Sequence, residues 1–213
     1  MNFRDLKPNE TRILIVRHGS HKANVLTDEA IAMCEATGKA LAEAGCTIDA
    51  VYSSPAPRAL TTGLHIMEGL GKMTRSVITD MRLADTSVEP GNVVAEATAE
   101  AEKLGLSGEE GLARVLFNPN GKFADMMTRR GEEGADCLRE IGWQCQGKTA
   151  MVPTHGVARI ENMLMFLRGE QLHQPDRLAA TCQIIKIVLN AVNGEVIEED
   201  WLEPMTITTQ IPV

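Results

Sequence analysis

The sequence predicts an α/β fold in three layers: a mostly parallel sheet, helices on both faces, and a helical insertion over the edge where the strands end. Three observations predict it. Apolar runs of strand length alternate with segments of helical period along most of the chain. Three of those runs end on polar residues that resist burial: Arg17-His18-Gly19, Ser53-Ser54-Pro55 and Thr154-His155-Gly156. One segment, from about Asp85 to Arg130, breaks the alternation; it is rich in Glu, Ala and Gly and carries only short helical patterns. No internal repeat or low-complexity linker divides the 213 residues. A single domain over residues 1–213 is therefore expected, with residues 85–130 as its insertion.

In order along the chain, RILIVR up to Arg17 is the first strand. A helix follows over residues 27–45, with apolar positions at Ile31, Cys34, Leu41 and Ala44, Asp28 as N-cap and Gly45 as C-cap. DAVYSS, ending at Ser54, is the second strand. The next helix starts at Pro55 and Pro57 and stops at Gly71. SVITDMRL, residues 76–83, reads as a third strand. After the insertion, residues 134–145 read as a helix, KTAMVPTHG as a fourth strand and residues 156–169 as another helix. Two closing strands flank Asn193-Gly194, a hairpin turn signal.

Composition narrows the function classes. Formal charge is −8 and the pI near 5.2, which excludes a general nucleic-acid binder. Such a surface still permits an anionic substrate, because a few arginines in one cleft outweigh a diffuse negative field. No apolar run has the length of a membrane span, and the charged start MNFRDLKPNE lacks the apolar stretch of a signal peptide. The five cysteines are odd in number and form no CxxC pair, so reduced thiols are expected. These features read as a cytoplasmic protein with no membrane partner. Exposed sheet edges and the terminal hairpin could support a homodimer.

In a parallel sheet the strand ends share one edge, where ligand crevices form. Two histidines and two arginines, Arg17, His18, Arg58 and His155, would meet there. That set suits phosphoryl transfer. A neutral imidazole can attack phosphorus and carry the group covalently. Guanidinium forks match phosphate oxygens and stabilise the charge that spreads over them.

These residues resemble the histidine phosphatase superfamily, also called phosphoglycerate mutase-like. The resemblance is carried by Arg17-His18-Gly19 with Asn24, by the block from Ser53 to Thr62 that reads SSPAPRALTT, and by Thr154-His155-Gly156 in the same order. It spans most of the chain except the insertion. His21 stands where Thr, Ser or Glu is usual, and Ile160 stands where many members carry Arg, with Arg159 just before it.

The resemblance implies that His18 is the phosphorylated nucleophile and that Arg17, Arg58 and His155 form the phosphate pocket, joined by Asn24 and Gly156. It places the leaving-group acid at Asp85, in the context Leu83-Ala84-Asp85, with Glu89 as the rival. Lys22 could reach a substrate carboxylate or second phosphate. GEEG at Gly108–Gly111 reads as a solvated turn, and Arg82, Arg129 and Arg130 as exposed salt-bridge partners. No motif for a metal or another cofactor is present, so none is expected. The implied activity is a metal-independent phosphatase acting on phosphorylated small molecules, with a phosphoprotein substrate second to these. The alternatives are a cofactor-dependent phosphoglycerate mutase and a catalytically weak phospho-ligand binder.

Overall fold

The structure is a computed structural model that describes residues 3–72 and 76–203. Strand β1 (Glu10–Arg17) lies at the centre of a sheet with β4 (Ala50–Ser53), β5 (Ile78–Thr79), β6 (Thr149–Thr154), β7 (Ile184–Asn190) and β8 (Val196–Leu202). The six strands run in the order β5-β4-β6-β1-β7-β8. The first four of these are mutually parallel, and β7 is antiparallel to both its neighbours. A small antiparallel ribbon, β2 (His21–Lys22) and β3 (Val25–Leu26), stands on the loop after β1.

Alternation along β1 builds two cores. Ile13 and Ile15 point to one face, where α5 (Ala124–Gln144) and α6 (Ile160–Leu167) pack through Leu138, Ile141, Met163 and Leu164. Leu14 and Val16 point to the other face, where α1 (Asp28–Glu43) and α2 (Pro57–Gly69) pack through Cys34, Leu41, Ile66 and Met67. The insertion supplies α3 (Val93–Lys103), α4 (Gly108–Leu116) and the first turns of α5. It has its own core of Val93, Ala97, Leu116, Phe117 and Met127, seated against Met165 of α6.

Several elements differ from the sequence reading. Thr27, not Asp28, caps α1: its side chain accepts from the Ala30 amide. The third strand shrinks to Ile78–Thr79, because the Asp80 side chain accepts from the Arg82 amide and winds Met81–Leu83 into a 3₁₀ turn. Helix α5 begins ten residues before the expected start at Gly134. Its glycines suggest a break in the sequence, yet they permit close packing: a Cβ on Gly131 would lie 2.2 Å from Phe166, and one on Gly134 2.3 Å from Met163. Helix α6 starts late, at Ile160, because Val157 and Ala158 take positive φ after β6. The β7–β8 turn is longer than a two-residue one: Gly194 donates to the Asn190 carbonyl, and the Asn190 amide to Glu195.

Candidate active site

Strand register gathers the site. Arg17 pairs with Thr154, so the ends of β1 and β6 lie side by side, and the His18 amide donates to the Thr154 carbonyl at 2.9 Å. The Thr154 hydroxyl donates to the Leu83 carbonyl at 2.7 Å, which ties the loop carrying Asp85 to the same edge. Arg58 arrives from the first turn of α2, whose start is set by Pro57. His18 and His155 then stand edge to face with ring centroids 5.1 Å apart.

His18 Nδ1 lies 2.9 Å from the Gly19 carbonyl, an acceptor only, so Nδ1 carries the proton. The lone pair on Nε2 is left facing the pocket, where Arg58 Nε donates to it at 3.2 Å. Burial, then the nearby charges of Arg58, His21 and Arg17, push the His18 pKa down to about 4. His155 is 2% exposed; its Nε2 lies 2.8 Å from Ser54 Oγ and its Nδ1 3.1 Å from Arg58 Nη2. A guanidinium can only donate, so Nδ1 accepts and Nε2 carries the proton. Burial lowers the pKa of His155 as well.

Arg58 is the hub. Its Nη1 donates to Asn24 Oδ1, and its Nη2 to Asp85 Oδ2. Asp85 is also tied down by the Ser87 amide at 3.0 Å and by the Ser87 hydroxyl. Burial raises its pKa, but His155, Ser87 and Arg58 outweigh that and leave it lowered, so Asp85 is ionised in the free protein. Arg17 runs under Gly156, where a Cβ would lie 2.4 Å from Arg17 Nε; only glycine leaves this path open. Its Nη1 donates to the Ala179 carbonyl and to Glu109 Oε2, the latter at 2.9 Å, and its Nη2 donates to Glu109 Oε1.

The structure thus brings together Arg17, His18, Asn24, Arg58, Asp85, His155 and Gly156. Lys22 is exposed on β2, and its side chain makes no hydrogen bond or ion pair among the described residues. Glu89 is not part of the cluster: its carboxylate pairs with Arg129 and Arg130 of α5. Arg130 differs from the expected exposed partner, since it is buried and also donates to the Ala84 carbonyl. Arg159 stays out of the pocket too; it is 1% exposed and donates to the Arg130 carbonyl.

Two features escape the sequence reading. GEEG is not a solvated turn but the start of α4, and Glu109 reaches Arg17 from it. The residues alone carry no signal for that, because the two partners lie 92 residues apart in the chain. His21, noted only as a departure, sets its ring edge on His18 with centroids 5.1 Å apart. One group among the described residues could share a metal ion: Glu35, His65 and Glu68. It lies on the outer surface of α1 and α2, two turns along α2 from Arg58. No helix among the described residues is long and apolar enough to cross a membrane.

The low pKa of His18 has a consequence for stability. An unfolded histidine takes up its proton near pH 6.5, whereas folded His18 does so only near 4. The unfolded chain therefore binds more protons in that window, and stability falls as pH drops from about 6.5 towards 4. Urea unfolding at pH 7.5 and 5 should show this loss, and it should be smaller in His18→Asn. An equal loss in the two proteins would refute the assignment.

The fold is shared with known structures. A phosphoglycerate mutase from Bacillus anthracis matches with a TM-score of 0.63 and 16% identity, over 92% of this chain and 93% of that one. A phosphoserine phosphatase from Entamoeba histolytica, solved with 3-phosphoglyceric acid, matches with a TM-score of 0.65 and 17% identity, over 91% and 98%. The protein histidine phosphatase SixA, solved with tungstate, matches with a TM-score of 0.53 and 17% identity, over 89% and 94%. A sequence model of the histidine phosphatase superfamily (branch 1) matches residues 10–198, a span that runs from the first residue of β1 through the insertion and into β8. With the RHG strand end, the SSP block and the late histidine converging inside that span, the chain belongs to the histidine phosphatase superfamily, branch 1.

Proposed function

We propose that the protein is a phosphatase that hydrolyses phosphate monoesters of small molecules through a phosphohistidine on His18, with no metal taking part. One observation carries the reading: His18 spends its Nδ1 proton on the Gly19 carbonyl and presents the Nε2 lone pair beside the Arg58 guanidinium. In the proposed reaction Nε2 attacks phosphorus and the ester P–O bond breaks. The leaving oxygen takes a proton from Asp85; water then attacks the phosphohistidine, gives a proton back to the Asp85 carboxylate as the N–P bond breaks, releases phosphate and restores the imidazole. Arg17 and Arg58 hold the equatorial oxygens, His155 lines the same pocket, and Asn24 orients Arg58. Similarity to a phosphoserine phosphatase and to a protein histidine phosphatase supports the class.

A turnover panel of aryl and alkyl phosphates, each with and without EDTA, tests the proposal. Hydrolysis that survives chelation is expected. Loss with EDTA and recovery with zinc or manganese would remove the metal-free mechanism. Transfer to a second hydroxyl acceptor in place of water would make the protein a mutase. Binding of phosphate with no turnover on any ester would make it a binder.

A further inference from the structure

The fork of Arg17 is filled by groups of the protein itself. Glu109 takes both terminal nitrogens with its two oxygens, the same bidentate geometry that a phosphate would use. The other contact of the fork is a main-chain carbonyl, that of Ala179, which cannot be given up without moving the backbone. Arg17 Nε is buried, without a hydrogen-bond partner, over Gly156. Only the Glu109 carboxylate can therefore be exchanged for an incoming anion. Its side chain is 53% exposed, against 10% for Arg17, so it comes in from the solvent side and can leave by rotating. It stands in the first turn of α4, a helix of the insertion that packs with α3 rather than with the sheet.

After the exchange, the displaced carboxylate stays at the mouth. Arg17 and Arg58 are then taken up by phosphate. Asp85 faces the leaving group from the Arg58 side, and Glu109 from the Arg17 side. Lys22 is next to His21 on the ribbon, and alternation along the strand turns it to the opposite face from the ring that meets His18. With Asp85 protonated for its role as acid, the Glu109 carboxylate is the charge left at the mouth; it repels a leaving group that carries its own carboxylate and attracts one that carries an ammonium.

We infer that Glu109 is a specificity-determining residue: it holds the place of the phosphate on Arg17 in the free protein and, once displaced, selects monoesters with a cationic or uncharged leaving group over carboxylated ones. The inference rests on the proposed phosphate pocket. Phosphoethanolamine and phosphoglycolate, two-carbon esters that differ chiefly in ammonium against carboxylate, are the substrates that separate the two outcomes.

The experiment combines calorimetric binding of inorganic phosphate with turnover of that ester pair, in the wild type, Glu109→Gln, Glu109→Ala and the neighbouring Glu110→Gln. Both Glu109 variants should bind phosphate about tenfold more tightly, because the competitor is gone. Glu110→Gln removes the same charge from the same turn without the contact and should shift binding by less than about twofold. The wild type should favour phosphoethanolamine in kcat/KM, and Glu109→Gln should shrink that preference by about three- to tenfold. Unchanged or weaker phosphate binding in both Glu109 variants overturns the inference and leaves the phosphatase reading intact. So does an equal gain for the two esters. Failure of every folded protein, wild type included, to bind phosphate overturns the pocket itself and this inference with it.

Discussion

His18→Asn is expected to lower turnover of both aryl and alkyl phosphates by about 10⁴-fold or more, while inorganic phosphate still binds. The nucleophile is lost, but Arg17 and Arg58 remain. His155 is a poor substitute: it is 2% exposed and its Nε2 is engaged by Ser54. Trapping with labelled substrate and quenching in alkali should place the label on His18 in the wild type. His155→Asn should still take the label, at a reduced rate. Label on His155, on a serine or on a cysteine would overturn the mechanism, as would His18→Asn retaining more than about a hundredth of the wild-type rate. The cysteines are poor rivals because all five are free and buried; burial pushes Cys46 up to about 11 and Cys137 up to about 12, whereas Cys182 is lowered by its hydrogen bond with Cys34 but is 2% exposed.

The strand ends were legible because period-two burial and the placement of charge are local properties of the chain. Arg17-His18, Ser53-Ser54 and Thr154-His155 each follow a run that the sheet buries, so their common edge follows from parallel pairing alone. The insertion was opaque for the opposite reason. Gly131 and Gly134 lower helix propensity, and only the close approach of α6 explains why α5 runs through them. Glu89 shows the same limit on the acid question. Four residues from Asp85 it looks equally suited, but its partners lie about forty residues on, in α5. Glu109 reaches Arg17 across an interval of 92 residues, which no spacing rule anticipates.

The second large effect is expected at Asp85. Asp85→Asn should cut alkyl-phosphate turnover by about 10²–10⁴-fold and leave aryl-phosphate turnover within a few-fold, because an aryl oxide departs without a proton. In the free protein Asp85 is ionised, held by Arg58 and Ser87, which is the wrong state for an acid. Substrate itself can reverse this. A phosphate that claims the Arg58 fork takes away the cation that favours the carboxylate and sets a dianion beside it; both changes raise the pKa of Asp85. The alkyl rate should therefore rise as pH is lowered below neutrality, with His18 remaining neutral until about 4. Asp85→Asn should abolish that rise, since an amide has no proton to gain. Glu89→Gln is the paired control. It breaks ion pairs with Arg129 and the buried Arg130, and should cost about 2 kcal/mol of stability while leaving the alkyl-to-aryl ratio unchanged. A selective alkyl loss in Glu89→Gln with none in Asp85→Asn would move the acid to Glu89, which would then have to leave both arginines when substrate binds. Loss in neither variant would leave protonation of the leaving group to water and favour the weak-binder reading.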